Sequence, residues 1–116
     1  MLGDWRRQGL LVVRGVYDVA RMGAITQWVN DIQNWPETAG AHMMFFENCL
    51  SDPSARMLNR IENFAPYHDQ MAGLFGTDLR AACGRLFGEE AVLFKEKINF
   101  KLPGGGGFEA HQDAQA

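Results

Sequence analysis

LFKEKINFKLPGGGGFEAHQD, residues 93–113, joins an alternating segment to a glycine-rich turn and then to a histidine and an aspartate two positions apart. Strict alternation of side-chain character is typical of a β-strand with one buried face, so a strand is predicted over residues 91–102. Pro103 and the four glycines after it predict the end of this strand and a flexible turn. The two strand faces carry Phe94, Glu96, Ile98 and Phe100 on one side, and Lys95, Lys97, Asn99 and Lys101 on the other.

His111 and Asp113 follow the turn on a predicted extended stretch, residues 108–113. In extended backbone, side chains at i and i+2 point to the same side, so the imidazole and the carboxylate are predicted to converge. Such a mixed nitrogen and oxygen pair suits an iron-like divalent ion. A further histidine would complete the facial triad of non-heme Fe(II) oxygenases. By itself the pair is a weak signal, because short patterns of this kind also arise by chance.

Composition and charge narrow the class of protein. The chain has 116 residues, which predicts a single domain. Its formal net charge of −3 argues against a nucleic-acid partner. Apolar runs such as residues 10–13 are too short to span a bilayer, and no secretory leader is apparent. Cys49 and Cys83 are isolated and predict free thiols, as in a cytoplasmic protein. Nothing in the composition indicates the oligomeric state.

The N-terminal half predicts a strand and a helix. The run LLVVR, residues 10–14, is rich in β-branched residues and predicts an early strand. Apolar residues then recur at helical spacing, so a helix is predicted from Val19 to Trp35, ending before Pro36. The apolar face of this helix consists of Ile25, Trp28, Val29 and Ile32.

The middle of the chain is less regular. Residues 37–52 include HMMFFENCL, which fits either a strand or a buried turn, and residues 56–64 alternate only in part. A short helix is predicted over residues 66–75, and a second helix is predicted to be capped by Thr77 and stopped by Gly88. Its buried stripe would consist of Leu79, Ala82, Cys83 and Leu86.

The stretch at residues 93–113, together with LNRIENF at 58–64 and GLLVVRGV at 9–16, resembles the phytanoyl-CoA dioxygenase family of Fe(II)- and 2-oxoglutarate-dependent dioxygenases. The resemblance implies an α+β fold that is the N-terminal part of a double-stranded β-helix (jelly roll) with flanking helices. Residues 1–116 would then form a single incomplete dioxygenase domain, inactive alone, because the family's distal histidine ligand and its 2-oxoglutarate-binding arginine lie farther downstream. His42 and His68 do not match the distal position.

The same resemblance assigns roles to individual residues. His111 and Asp113 match the catalytic iron ligands, and an aspartate at this place favours hydroxylation over halogenation. Arg60 matches a position where family members carry a basic residue near 2-oxoglutarate, although an ion pair with Glu62 or with an acidic residue of a helix explains it equally well. Lys97 would help to bind the co-substrate, whereas the alternative is a solvated outer strand face.

The implied cofactors are Fe(II) and, as co-substrate, 2-oxoglutarate. The basic residues point to a small anionic substrate, but the co-substrate alone accounts for them. The alternative function is a non-catalytic jelly-roll binding or scaffold domain in which the pair His111 and Asp113 is coincidental.

Overall fold

A three-stranded antiparallel sheet forms the centre of the fold in the computed structural model, which describes residues 2–111. The strands are β1 (Met43–Asn48), β2 (Arg56–Glu62) and β3 (Lys97–Asn99), and they lie side by side in the order β1-β2-β3. β1 and β2 form a hairpin, and β3 pairs with the last three residues of β2. The segment 37–52, which fitted either a strand or a turn, therefore contributes a strand.

Helix α2 (Val19–Gln33) is the longest helix, after a short α1 (Leu2–Gln8). It begins at Asp18, whose side chain accepts a hydrogen bond from the backbone N–H of Arg21 at 2.7 Å. This is the usual way in which an aspartate caps the first turn. The predicted apolar face is confirmed, because Ile32 is fully buried and Ile25, Trp28 and Val29 pack against the core.

The core lies between this helix face, the segment after β2 and one face of the sheet. Ile61, in the middle strand, is fully buried, as are Ile32 and Phe64. Burying one side chain of this size contributes about 1.5–3 kcal/mol. The remaining buried apolar side chains of this cluster are those of Met71, Leu74 and Phe100.

The opposite sheet face carries both charged and apolar side chains. Because successive side chains of a strand point to opposite faces, Arg60 and Glu62 point away from the core that Ile61 enters. Their neighbours across the strands share that face: Glu62 lies between Met43 and Lys97, and Arg60 lies between Phe45 and Asn99. We call this surface the open face.

The chain from Asp69 to Phe87 is helical throughout. It consists of α3 (Asp69–Gly73), a π-helical segment (Leu74–Leu79) and α4 (Arg80–Phe87), and it follows a 3-10 turn (Ala65–Tyr67). The first cap is His68, whose side chain accepts from the backbone N–H of Met71 at 3.3 Å.

Thr77 lies inside this continuous helical stretch, so the prediction that it caps a new helix was wrong. The predicted stripe is only partly covered: Leu79 is 38% exposed, and Ala82, Cys83 and Leu86 are half-buried. Gly88 ends α4 with a positive φ of 79°, which confirms it as the stop.

The predicted strand at residues 10–14 was wrong, since the structure has no strand there. Leu10, Val12 and Val13 are all at least half exposed. β-branched composition alone does not make a strand, because a strand needs a neighbour to pair with and a face to bury. No strand of the described sheet pairs with this run.

The predicted strand at residues 91–102 shortens to Lys97–Asn99. β2 ends at Glu62, and Asn63 then turns the chain with a φ of 55°, so no partner is left for residues 91–96. The alternation of burial persists nevertheless: Glu96 and Phe100 are buried, and the lysines beside them are exposed. Phe94 departs from it, because it is 95% exposed.

Residues 108–111 form no strand either, and Gln112 and Asp113 lie outside the described residues. Within residues 2–111, no helix is long and apolar enough to cross a bilayer. Cys49 and Cys83 are free thiols. The observed α+β arrangement is as predicted, and the jelly roll itself stays a prediction.

Two phenylalanines provide a matched test of this core. Phe64→Ala, at a fully buried site, is expected to lower the free energy of unfolding by about 3–5 kcal/mol, because it leaves a cavity. Phe94→Ala, at a 95% exposed site, is expected to change it by less than about 0.5 kcal/mol. Urea unfolding of both variants measures the difference, and equal losses would contradict the described core.

Candidate functional site

His111 is the last residue that the structure describes. Its side chain is exposed, and its Nδ1 lies 2.7 Å from the backbone carbonyl oxygen of Glu109. A carbonyl oxygen only accepts, so Nδ1 must carry the proton in this contact. In the neutral ring the lone pair is then on Nε2, which is the arrangement found in many metal-binding histidines.

The donor chemistry of His111 therefore fits an iron ligand, and Asp113, the second ligand predicted, lies outside residues 2–111. Among the residues that the structure describes, no three side chains of His, Cys, Asp or Glu come together as a metal cluster. The convergence of His111 and Asp113 thus remains a prediction.

The glycine turn that precedes His111 rests against the β1–β2 hairpin. Gly104 has a φ of 87°, a conformation that favours glycine. Its carbonyl oxygen accepts from the backbone N–H of Leu50 at 2.8 Å. A Cβ at Gly104 would lie 2.6 Å from Sγ of Cys49, so there is no room for a side chain. Cys49 itself contacts the hydroxyl of Ser51 at 3.2 Å, and hydrogen bonding there lowers the pKa of the thiol.

Glu47 of β1 also contacts the turn. Its Oε2 accepts a hydrogen bond from the backbone N–H of Gly106 at 3.0 Å. Hydrogen bonds from the side chain of Asn59 and from Gly106, together with the charge of Lys101, hold the pKa of the Glu47 carboxyl below its usual value. The carboxylate is thus ionised and anchored between β2 and the turn.

Arg60 and Glu62 form an ion pair on the open face. Nε of Arg60 and Oε1 of Glu62 are 2.8 Å apart and closed to solvent, but the N–H does not point at the oxygen as in a hydrogen bond. Nζ of Lys95 lies 3.5 Å from the other carboxylate oxygen. The guanidinium also stacks on the ring of Phe45, with its Cζ 4.2 Å from the ring centroid. A buried carboxylate needs such partners, because its desolvation is costly.

The open face therefore brings two of the predicted site residues together. Lys97 lies directly opposite Glu62 across the strands, and Arg60 lies one pair farther along. The ion pair foreseen between Arg60 and Glu62 is present, and a role of Arg60 in binding 2-oxoglutarate stays a prediction. His111 lies in a separate segment beyond the glycine turn, and Asp113 lies outside the described residues.

The sequence pattern did not single out Glu47 as a site residue. Its only signal was an acidic residue near the end of the apolar run MMFF. Its backbone partner Gly106 is 59 residues away in the chain, a contact that no local pattern reveals.

Comparison with known proteins gives a consistent result. A family model described as phytanoyl-CoA dioxygenase (PhyH) matches residues 5–116. A 2-aminoethylphosphonate dioxygenase from an uncultured bacterium is 43% identical, over 97% of this chain and 43% of its own length. A methylphosphonate hydroxylase from Gimesia maris is 36% identical, over 99% of this chain and 44% of its own length.

A third relative, dioxygenase lolE1 from Epichloe uncinata, is 30% identical over 85% of this chain and 37% of its own length. The chain therefore spans about two fifths of the length of these curated relatives. No solved structure gives a significant match.

The depressed pKa of Glu47 predicts a pH dependence of stability. A carboxyl whose pKa is lower in the folded than in the unfolded protein stabilises the fold above its unfolded pKa of about 4.5. That contribution disappears as the pH falls through the lower, folded value. Urea unfolding at low salt is expected to show Glu47→Gln less stable than the wild type at pH 6, and by a smaller margin at pH 3. An equal gap at both pH values would contradict this.

Proposed function

The chain belongs to the phytanoyl-CoA dioxygenase family, and on that premise we propose that it is the N-terminal part of an Fe(II)- and 2-oxoglutarate-dependent dioxygenase that hydroxylates a small phosphonate. The observation that carries the proposal is the chemistry of the segment from Lys97 to His111. A cationic strand face precedes the glycine turn, and an imidazole whose Nδ1 contacts the carbonyl of Glu109 follows it.

The iron ligands proposed from this chain are His111 and Asp113, with a distal histidine supplied by later sequence. When bound, Fe(II) and 2-oxoglutarate supply oxidation: O2 and 2-oxoglutarate become succinate and CO2, and one oxygen atom enters a substrate C–H bond. The protein's own residues bind, orient and exclude water. The contact of Nδ1 with the carbonyl of Glu109 supports this role, because it fixes which ring nitrogen can face a metal.

The anion-binding role is proposed for the open face. Arg60 and Lys95 pair with the carboxylate of Glu62, and Lys97 lies opposite Glu62 across the strands, so positive charge exceeds negative charge around Glu62. Carboxylate and phosphonate groups are both recognised by such charges, and arginine adds a planar pair of donors. The names of the two bacterial relatives, which concern 2-aminoethylphosphonate and methylphosphonate, support a phosphonate as the substrate.

We further propose that the open face is the interior of a jelly roll. In that arrangement later strands would cover Arg60, Glu62 and Lys97, and residues 1–116 would be one incomplete domain. The chain alone would then release no succinate, because two protein ligands hold iron only weakly. The free thiols of Cys49 and Cys83 are compatible with the cytoplasmic location proposed from the sequence.

Substitution of the ligands tests the proposal. In the full-length protein that carries this chain, anaerobic addition of Fe(II) and 2-oxoglutarate is expected to give a visible charge-transfer band. His111→Ala and Asp113→Ala are expected to abolish the band and to lower succinate release with a phosphonate by at least about 100-fold. His68→Asn is the control, since asparagine can still cap α3. Undiminished succinate release by His111→Ala would refute His111 as an iron ligand. A wild type that shows neither the band nor succinate release would favour the non-catalytic binding domain.

The anion-binding role makes a separate prediction. Lys97→Gln removes one positive charge from the open face and is expected to raise the KM for 2-oxoglutarate or for the phosphonate by roughly tenfold, because a charge-assisted hydrogen bond is lost. Arg85→Gln, which removes a cation from α4, is the control and is expected to leave both KM values unchanged. Equal KM values in the wild type and Lys97→Gln would exclude Lys97 from the binding site.

A further inference from the structure

We propose that Glu47 is a positioning residue, whose carboxylate clamps the turn Gly104–Gly107 to β1 and thereby fixes where the segment ending in His111 presents its imidazole. This inference rests on the proposed function, since it assumes that His111 binds iron. In this role Glu47 acts by binding the backbone of the turn and does not itself contact substrate or metal.

Two hydrogen bonds join the turn to the end of β1. Oε2 of Glu47 accepts from the N–H of Gly106 at 3.0 Å, and the N–H of Leu50 donates to the carbonyl of Gly104 at 2.8 Å. The turn also closes on itself, because the N–H of Gly105 donates to the carbonyl of Leu102 at 3.1 Å. An ionised acceptor makes the Glu47 contact the stronger kind of hydrogen bond.

The close approach of Glu47 explains the run of glycines. A Cβ at Gly105 would lie 2.7 Å from Oε1 of Glu47, and a Cβ at Gly106 would lie 3.0 Å from Oε2. Gly107 has nothing within 4 Å of its ideal Cβ position. A side chain at 105 or 106 would therefore displace the Glu47 carboxylate from its present position, and one at 105 would also crowd the backbone oxygen of Leu102, 3.2 Å from the Cβ position.

A β-bulge directs the second partner of Glu47. The pairing of β1 with β2 shifts register between Phe45 and Phe46, so that Asn59 is the extra residue on β2. Bulges re-aim side chains in this way near functional sites. The side chain of Asn59 is the largest cause of the lowered pKa of the Glu47 carboxyl, and the backbone carbonyl of Asn59 accepts from the N–H of Phe100 at 2.8 Å. Asn59 thus links the clamp to the chain just after β3.

The far side of the turn is held as well. Nζ of Lys101 lies 3.6 Å from the ring centroid of Phe108, a cation–π contact across the glycines. Only three residues separate Gly107 from His111. A displacement of Gly106 would therefore be transmitted over a short stretch to the proposed ligand.

Hydrogen exchange tests the clamp without any metal. In Glu47→Ala and Glu47→Gln of the full-length protein, the amide of Gly106 is expected to exchange at least about tenfold faster than in the wild type. Glu37→Gln is the matched control: it removes a carboxylate that pairs with Arg56 on the same sheet and does not contact the turn. Exchange of Gly106 that is unchanged in both Glu47 variants would overturn the clamp.

Metal affinity tests the positioning role. The apparent Kd for Fe(II), followed anaerobically through the 2-oxoglutarate charge-transfer band, is expected to rise about 10–100-fold in Glu47→Ala, in the range for residues that orient ligands. An unchanged Kd overturns the inference while the proposed function stands. Absence of any Fe(II) binding by the wild type instead refutes the proposed function, and with it the positioning role for Glu47.

Alanine substitutions in the turn keep the inference testable if the Glu47 variants fold poorly, and a double-mutant cycle extends the test if they fold. Gly105→Ala is expected to weaken Fe(II) binding, whereas Gly107→Ala, in open space, is expected to leave it unchanged. Because the clash at Gly105 involves Glu47, adding Gly105→Ala to Glu47→Ala is expected to cost less than Gly105→Ala costs alone. Strictly additive losses would show that the two residues do not act together.

Discussion

The pairing of β2 on both of its edges is the constraint on which the described structure depends. Ile61 sits opposite Met44 on one side and Ile98 on the other, and it is fully buried. A slip of one residue would turn Ile61 outward and bring Arg60 or Glu62 into the apolar core. The burial of Ile61 therefore fixes the register, and the register decides which side chains reach the open face.

The polar groups near the sheet are arranged in two units. On the open face, Glu62 neutralises part of the charge of Arg60 and holds it against Phe45. Near the end of β1, Glu47 accepts a hydrogen bond from the backbone of the glycine turn. The first unit sets up a cationic surface, and the second fixes the turn before His111. Together they explain why acidic residues occur in strands of a proposed anion-binding domain.

Local sequence pattern predicted those elements that local physics determines. The face of α2 followed from helical spacing, and Gly88 followed from its ability to adopt a positive φ. Alternation predicted that Lys97 and Phe100 lie on opposite faces of their strand, and Lys97 is indeed exposed whereas Phe100 is buried. The run at residues 10–14 was misread because strand formation depends on a partner. Glu47 was missed because its contact with Gly106 depends on how two distant segments meet.

The central claim is that the metal binds on the side of the open face, and not on the side of the sheet that packs against α2. Mn(II) can replace Fe(II) and broadens NMR signals of nearby nuclei, so its titration into the full-length protein tests this directly. We expect the amide NMR signals of Arg60 and Lys97 to broaden at lower Mn(II) concentration than those of Trp28 and Met71, which lie on the core side. Earlier broadening of Trp28 and Met71 would contradict it.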